Sequence, residues 1–156
     1  MPLDPVSLAT QLRTRWLPSN GGFPSSVQDS AQRFATVVAS WFAAGAANAI
    51  PCATAMARMS GLQSSAASAL AAGDARTAGQ QLALAVAQFM AAQSFGPGVS
   101  SMPIATPALV TAIGEVFASH DLDSDQRATL IATATYLTAL STIVVFPPPM
   151  PPGPVL

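Results

Sequence analysis

Lysine is absent from this sequence, and histidine, cysteine and glutamate occur once each, as His120, Cys52 and Glu115. Each scarcity excludes a chemistry. A lone cysteine excludes an internal disulfide and a thiolate-rich metal centre. One histidine and one glutamate leave a metal-dependent hydrolase short of ligands and bases, so no metal or other cofactor is expected. The basic residues are six arginines, Arg13, Arg15, Arg33, Arg58, Arg76 and Arg127, spread singly along the chain. No cluster among them could neutralise a run of phosphates, and direct sequence-specific binding of nucleic acid is not expected. Charged residues make up 8% of the chain, against about 25% in an ordinary soluble domain. Mixed charge keeps a free monomer dispersed, so much of this surface is expected to be covered by neighbours or by lipid.

What is present is apolar and small. Hydrophobic residues account for 51% of 156 residues, and alanine carries much of that share. The length fits one domain able to bury roughly 70% of the surface its unfolded form exposes. The anchors of a core built mainly by close helix packing are Trp16, Phe34, Trp41, Phe42, Phe89, Phe95 and Phe117.

The spacing of apolar residues is helical along most of the chain. Asp4 and Pro5 form an N-cap and first-turn pair, which reads as a helix start and not as a secretory signal. Val6, Leu8, Leu12, Trp16 and Leu17 continue that first helix until Pro18. Asn20, Gly21, Gly22 and Pro24 predict a loop, and Ser25 with Gln28 has capping-box spacing for a second helix. Val27, Ala31, Phe34, Val38, Trp41 and Gly45 then recur at steps of four and three, the clearest amphipathic stripe in the chain. Asn48 to Pro51 breaks the run. A third helix is predicted from about Cys52 to Gly73, and a fourth from the cap Asp74 to Gly96, Pro97 and Gly98. Thr106 and Pro107 open a fifth helix that stops near His120. The acids Asp121 to Asp125 lead into a sixth, whose Thr129, Thr133, Thr135 and Thr138 lower its propensity. No internal repeat of fixed period is visible.

From Thr142 the character changes to strand formers and then to proline. The expected fold class is therefore all-α: a bundle of about five to six helices over 1–141, with an extended, proline-rich arm over 142–156. Ile143, Val144, Val145, Phe146, Pro147, Pro148 and Pro149 lack the polar cover of a free tail, and they are the expected protein interface.

Other candidates read more simply. Asp121, Asp123 and Asp125 have the alternating spacing that opens an EF-hand loop. Gln126 stands where that loop needs glycine and Ala132 where it needs glutamate, so the acids read as helix N-terminal caps. His120 and Asp121 are adjacent and do not face each other, and no nucleophile motif accompanies them, so no catalytic residue is expected. Cys52 reads as a small buried hydrophobe. Pro148 to Pro151 has P-x-x-P spacing, but a structural strap is the plainer reading. The stretch 34–57 carries no charge and is long enough to cross a bilayer. Asn48, Pro51 and the one-sided stripe oppose insertion, which leaves a membrane-associated or pore-forming helical protein as the alternative function.

Alanine-rich helical proteins of mycobacterial type VII secretion share the composition, but their W-x-G turn is missing here, since Trp41 is followed by Phe42 and Ala43. The chain more closely resembles the small, charge-poor structural proteins of tailed-phage virions and phage-derived contractile tail-like particles. That resemblance lies in the capped start Asp4-Pro5-Val6, the alanine-rich helical body, and the ending Thr142-Ile143-Val144-Val145-Phe146-Pro147-Pro148-Pro149. It implies a tail, baseplate or neck subunit, assembled in the bacterial cytoplasm, that contacts copies of itself and larger structural proteins of the same particle.

Overall fold

A computed structural model describes residues 2–18 and 21–156 of the chain. Six α-helices alternate with β-hairpins: α1 (Pro5–Arg15), α2 (Val27–Phe42), β1 (Ala46–Ala47), β2 (Ile50–Pro51), α3 (Met59–Leu70), α4 (Ala75–Met90), β3 (Ser94–Phe95), β4 (Gly98–Ser100), α5 (Thr106–Ala118), α6 (Ser124–Leu140), β5 (Ile143–Val145) and β6 (Gly153–Pro154). The chain is thus mostly helical and not purely all-α, a correction to the class expected above.

Four of the helices start at side-chain caps. Asp4 accepts from Val6 N and Ser7 N, Asp74 from Thr77 N, and Asp123 forms a full capping box with Gln126. The cap of α2 is Ser26, one residue later than expected. Its hydroxyl accepts from Asp29 N at 3.1 Å, while the Asp29 carboxylate reaches back to Ser25 N at 2.9 Å. Asn20, assigned to the preceding loop, lies outside the described residues. The third helix starts at Met59 and not near Cys52, because 46–51 is a hairpin. Asn48 and Ala49 sit at φ 49° and 65°, the positive pair that a tight two-residue hairpin turn requires.

The order of elements exposes a repeat. Helix, helix, hairpin recurs three times, with α2, α4 and α6 starting at Val27, Ala75 and Ser124, 48 and 49 residues apart. Each odd-numbered helix carries a buried leucine four residues after its cap, at Leu8, Leu62 and Leu109. Equivalent positions of the even-numbered helices are buried in the same way: Phe34, Leu82 and Ile131, and beside them Ala35, Ala83 and Ala132. Neighbouring helices pack in sequence around the molecule, and α6 packs on α1 to complete the circle.

The hairpins close as well. Backbone ladders join β1 to β2 and order the other four strands as β3-β4-β5-β6, all antiparallel. Three equivalent backbone bonds brace the hairpin bases: Cys52 N to Gly45 O, Ser100 N to Gln93 O and Val155 N to Thr142 O, at 3.0, 2.9 and 3.1 Å. Three more join each hairpin to the next: Ala53 N to Ser94 O, Ser101 N to Ile143 O and Leu156 N to Ala46 O, at 2.8, 2.8 and 2.9 Å. The result is a pseudo-threefold ring of three hairpins. Ala47, Phe95 and Val144 occupy equivalent strand positions and are each fully buried. Residues 142–156 are therefore not an extended arm. They form the third hairpin, with Thr142, Val144 and Val155 fully buried in the chain's own core.

All six helices run between two ends of the molecule. At the hairpin end Trp41 Nε1 donates to Asp4 O at 2.9 Å, tying the end of α2 to the start of α1. At the opposite, connector end Trp16 Nε1 donates to Ser30 Oγ at 2.8 Å, tying the end of α1 to the start of α2. Of the expected anchors, Trp16, Phe34, Trp41, Phe42, Phe89 and Phe95 are buried and Phe117 is half-buried.

Two substitutions test this packing. A Cβ added at Gly79 would lie 2.7 Å from Ile113 O and 2.9 Å from Phe117. Gly79→Ala should therefore lower stability by about 1–3 kcal/mol in denaturant melts, although alanine has the better helix propensity by about 1 kcal/mol. Thr135 has a buried hydroxyl without a partner, and the equivalent positions Val38 and Val86 carry the matching apolar shape. Thr135→Val should stabilise the chain by about 1 kcal/mol, seen as a melting temperature raised by roughly 2–4 °C.

Candidate docking surface

Charge is segregated between the two ends. The connector end holds Arg13, Arg15, Asp29, Arg33, Asp74, Arg76, Glu115, His120, Asp121, Asp123, Asp125 and Arg127, all in the last turns of odd-numbered helices, the first two turns of even-numbered ones, or the links between them. At the hairpin end, among the described residues, only the side chains of Asp4 and Arg58 are charged. Arg58 is not free there, because its guanidinium donates to Ala91 O and to Phe89 O, neutralising the carbonyl end of α4.

Two other arginines are used in the same way. Arg127 donates to Leu122 O, Val116 O and Ser119 O at 3.0, 2.8 and 2.6 Å, gripping the end of α5. Arg33 donates to Gly22 O at 2.6 Å and pairs with Asp29 at 2.9 Å. Arginine suits this work because its fork spreads several donors in one plane. The remaining pairs lie between helices: Arg76 with Glu115 joins α4 to α5, and Arg13 with Asp125, at 3.8 Å, joins α1 to α6.

The hairpin end is instead apolar and exposed. Ile104 is 77% exposed, Val145 57%, and Val99, Met102, Met56 and Leu156 about half. Val99 and Val145 are opposite one another in the β4–β5 ladder, so their side chains share one face. Of the expected interface residues, Val145, Pro147, Pro148 and Pro149 are exposed at this end and Ile143 is half-buried. Val144 and Phe146 turn inward, at 0% and 5% exposure, because strand residues alternate between faces. Gly98 leaves the space that Phe146 fills, since an added Cβ would lie 2.5 Å from its ring.

Beneath the ring lies a buried polar network that no sequence motif signals. Gln93 is fully buried; its amide donates to Phe89 O at 2.5 Å, and its Oε1 accepts from Thr54 Oγ1 at 2.7 Å. Ser100 Oγ donates to Met90 O at 2.6 Å and accepts from Gln93 N at 2.8 Å. Cys52 Sγ lies 3.9 Å from Gln93 Oε1, and burial pushes its thiol pKa up, away from the reactive thiolate. Each of these polar groups has a structural partner, and the cluster rigidifies the hairpin bases.

The other sequence candidates lie at the connector end and are not brought together. Asp123 is occupied in capping α6, Asp125 faces Arg13, and Asp121 and His120 are exposed. Among the described residues no group of three or more His, Cys, Asp or Glu side chains is placed to hold a metal. A cavity of about 460 Å³ opens at this end between Trp16, Phe23, Leu70 and Phe117, with Arg127 at its edge. Its lining is apolar, and the Arg127 fork is already engaged by carbonyls. Among the described residues no helix is long and apolar enough to cross a membrane.

The segregation has a signal in the sequence. The runs 34–57, 77–114 and 128–156 contain no charged residue, and each includes one hairpin. The carboxyls that the fold holds below their ordinary values all lie at the connector end. The carboxyls of Asp29, Asp74 and Glu115 are held below their ordinary values by the Arg33 guanidinium, the Thr77 hydroxyl and N–H, and the Arg76 guanidinium respectively. A carboxyl whose pKa is lower in the folded chain adds stability above its unfolded pKa and loses it as pH falls through the folded one. Melting temperature should thus hold steady from about pH 8 to 5 and fall below about pH 4, as thermal scans across that range would record. Compared with protein-family models, with curated proteins and with solved structures, the chain matches none.

Proposed function

We propose that the chain is a non-enzymatic structural subunit of a larger protein assembly, of the tailed-phage or tail-like-particle kind that its sequence resembles, and that it is seated through its hairpin end. The observation that supports this reading is the segregation of charge: one end carries a dozen ionisable side chains, nine of them exposed, while the other presents Val99, Met102, Ile104 and Val145 to water. Covering a large aliphatic side chain contributes about 1.5–3 kcal/mol when burial is complete, so several such residues on one face are enough for a specific seat after the costs of association. An assembly subunit also has use for a rigid body. The arginine grips on helix-end carbonyls and the closed hairpin ring supply one.

Removing residues 142–156 would not test this seat, because Val144 and Val155 belong to the core and the truncated chain would lose its third hairpin. Single charges on the exposed face are the cleaner probe. Val145→Asp and Ile104→Asp should melt within about 2 °C of the parent, since exposed positions tolerate substitution to within about 0.5 kcal/mol. Expressed in place of the parent in producing cells, both variants should be missing from particles recovered by sedimentation. Arg15→Glu, at the connector end, should be retained. Normal incorporation of both aspartate variants would overturn the proposal.

A further inference from the structure

We infer that the partner covering the hairpin end is a homotrimer, whose threefold axis coincides with the pseudo-threefold axis of this chain. This rests on the docking role proposed above and adds the symmetry of the partner. The ring places Pro51, Val99 and Pro154 at equivalent positions, each immediately before the residue that braces its hairpin base, and all three are uncharged and exposed. One chain therefore offers the same kind of apolar contact three times around an axis.

The mode of contact is constrained by closure. Among the described residues every hairpin is bonded to the next, through Ala53 to Ser94, Ser101 to Ile143 and Leu156 to Ala46, so little free strand edge is left for a partner strand to extend. Docking must then be face-on, through side chains. Three like copies of one chain arranged about an axis can each meet one hairpin in the same way.

A second copy of the chain fits less well. The third hairpin alone carries a long link from Phe146 to Pro152, with Pro147, Pro148 and Pro149 exposed. Two copies face to face would have to accommodate two such links between them, while a trimer need accommodate one. That link also breaks the exact threefold of the chain, so one partner copy meets it and the other two do not.

The test is site-specific photo-crosslinking in producing cells, with p-benzoylphenylalanine introduced separately at Pro51, Val99 and Pro154. The three positions should crosslink to one and the same polypeptide, through the same partner peptide. Native mass spectrometry of the purified complex should give one copy of this chain to three of that polypeptide. Crosslinks to a single partner at a one-to-one or one-to-two ratio, or to different polypeptides at the three positions, would overturn the trimer and leave the docking role standing. Crosslinks to a second copy of this chain, with the mass of a homodimer, would replace the trimer by self-association. No crosslink at any position, together with normal incorporation of Val145→Asp, would overturn both proposals.

Discussion

Ala46 and Leu156 exchange backbone hydrogen bonds at 3.0 and 2.9 Å, and the architecture depends on that exchange because it joins the third hairpin to the first. Without it the strands would form an open sheet with two edges, each a row of unpaired donors and acceptors. With it, very short strands become tenable. Strands of two or three residues have little stability alone, but here each hairpin is bonded to both of the others and stands on the end of a helix. The same circle is completed among the helices where α6 meets α1, so each repeat buries its apolar face against the next.

Small residues and arginines make this circle rigid in different ways. Alanines at 35, 83 and 132, and glycines at 79 and 114, remove side-chain bulk where helices approach closely. Close approach brings dispersion contacts along the whole length of a helix and compensates for the scarcity of large residues. The arginines act at the ends, where helices leave carbonyls unpaired. Arg58 and Arg127 fill those places at the ends of α4 and α5. A chain with so little charge thus uses part of it internally, which further empties the hairpin end of ionised groups.

Much of the helical plan was legible because its signals are local. The Asp4, Asp74 and Asp123 caps and the stripe through Phe34, Val38 and Trp41 depend only on neighbours in sequence. The hairpins were not legible. Ala46-Ala47 and Ser94-Phe95 are too short and too poor in β-branched residues to register as strands, and the positive φ at Ala49 is imposed by the turn and not favoured by alanine. The repeat was hidden by divergence at equivalent positions, such as Phe42, Met90 and Ala139, and by connectors of unequal length. For the third hairpin the strand character of Ile143 to Phe146 is plain in the residues, but its destination is not. Pairing across forty-odd residues to Val99 leaves no trace in local composition.

By itself, then, the sequence determined the starts of α1, α4 and α6, the helical spacing of the core and the shortage of charge, since capping, periodicity and composition act within a few residues. It also contained the three charge-free runs, although their meaning depended on where they are placed. Only the tertiary structure decided that these runs meet at one end, that Val144 and Phe146 face inward while Val145 faces out, and that three unlike segments stand in equivalent places. The reason is physical: closure of a ring is a long-range constraint, satisfied by backbone hydrogen bonds that nearly any residue can make.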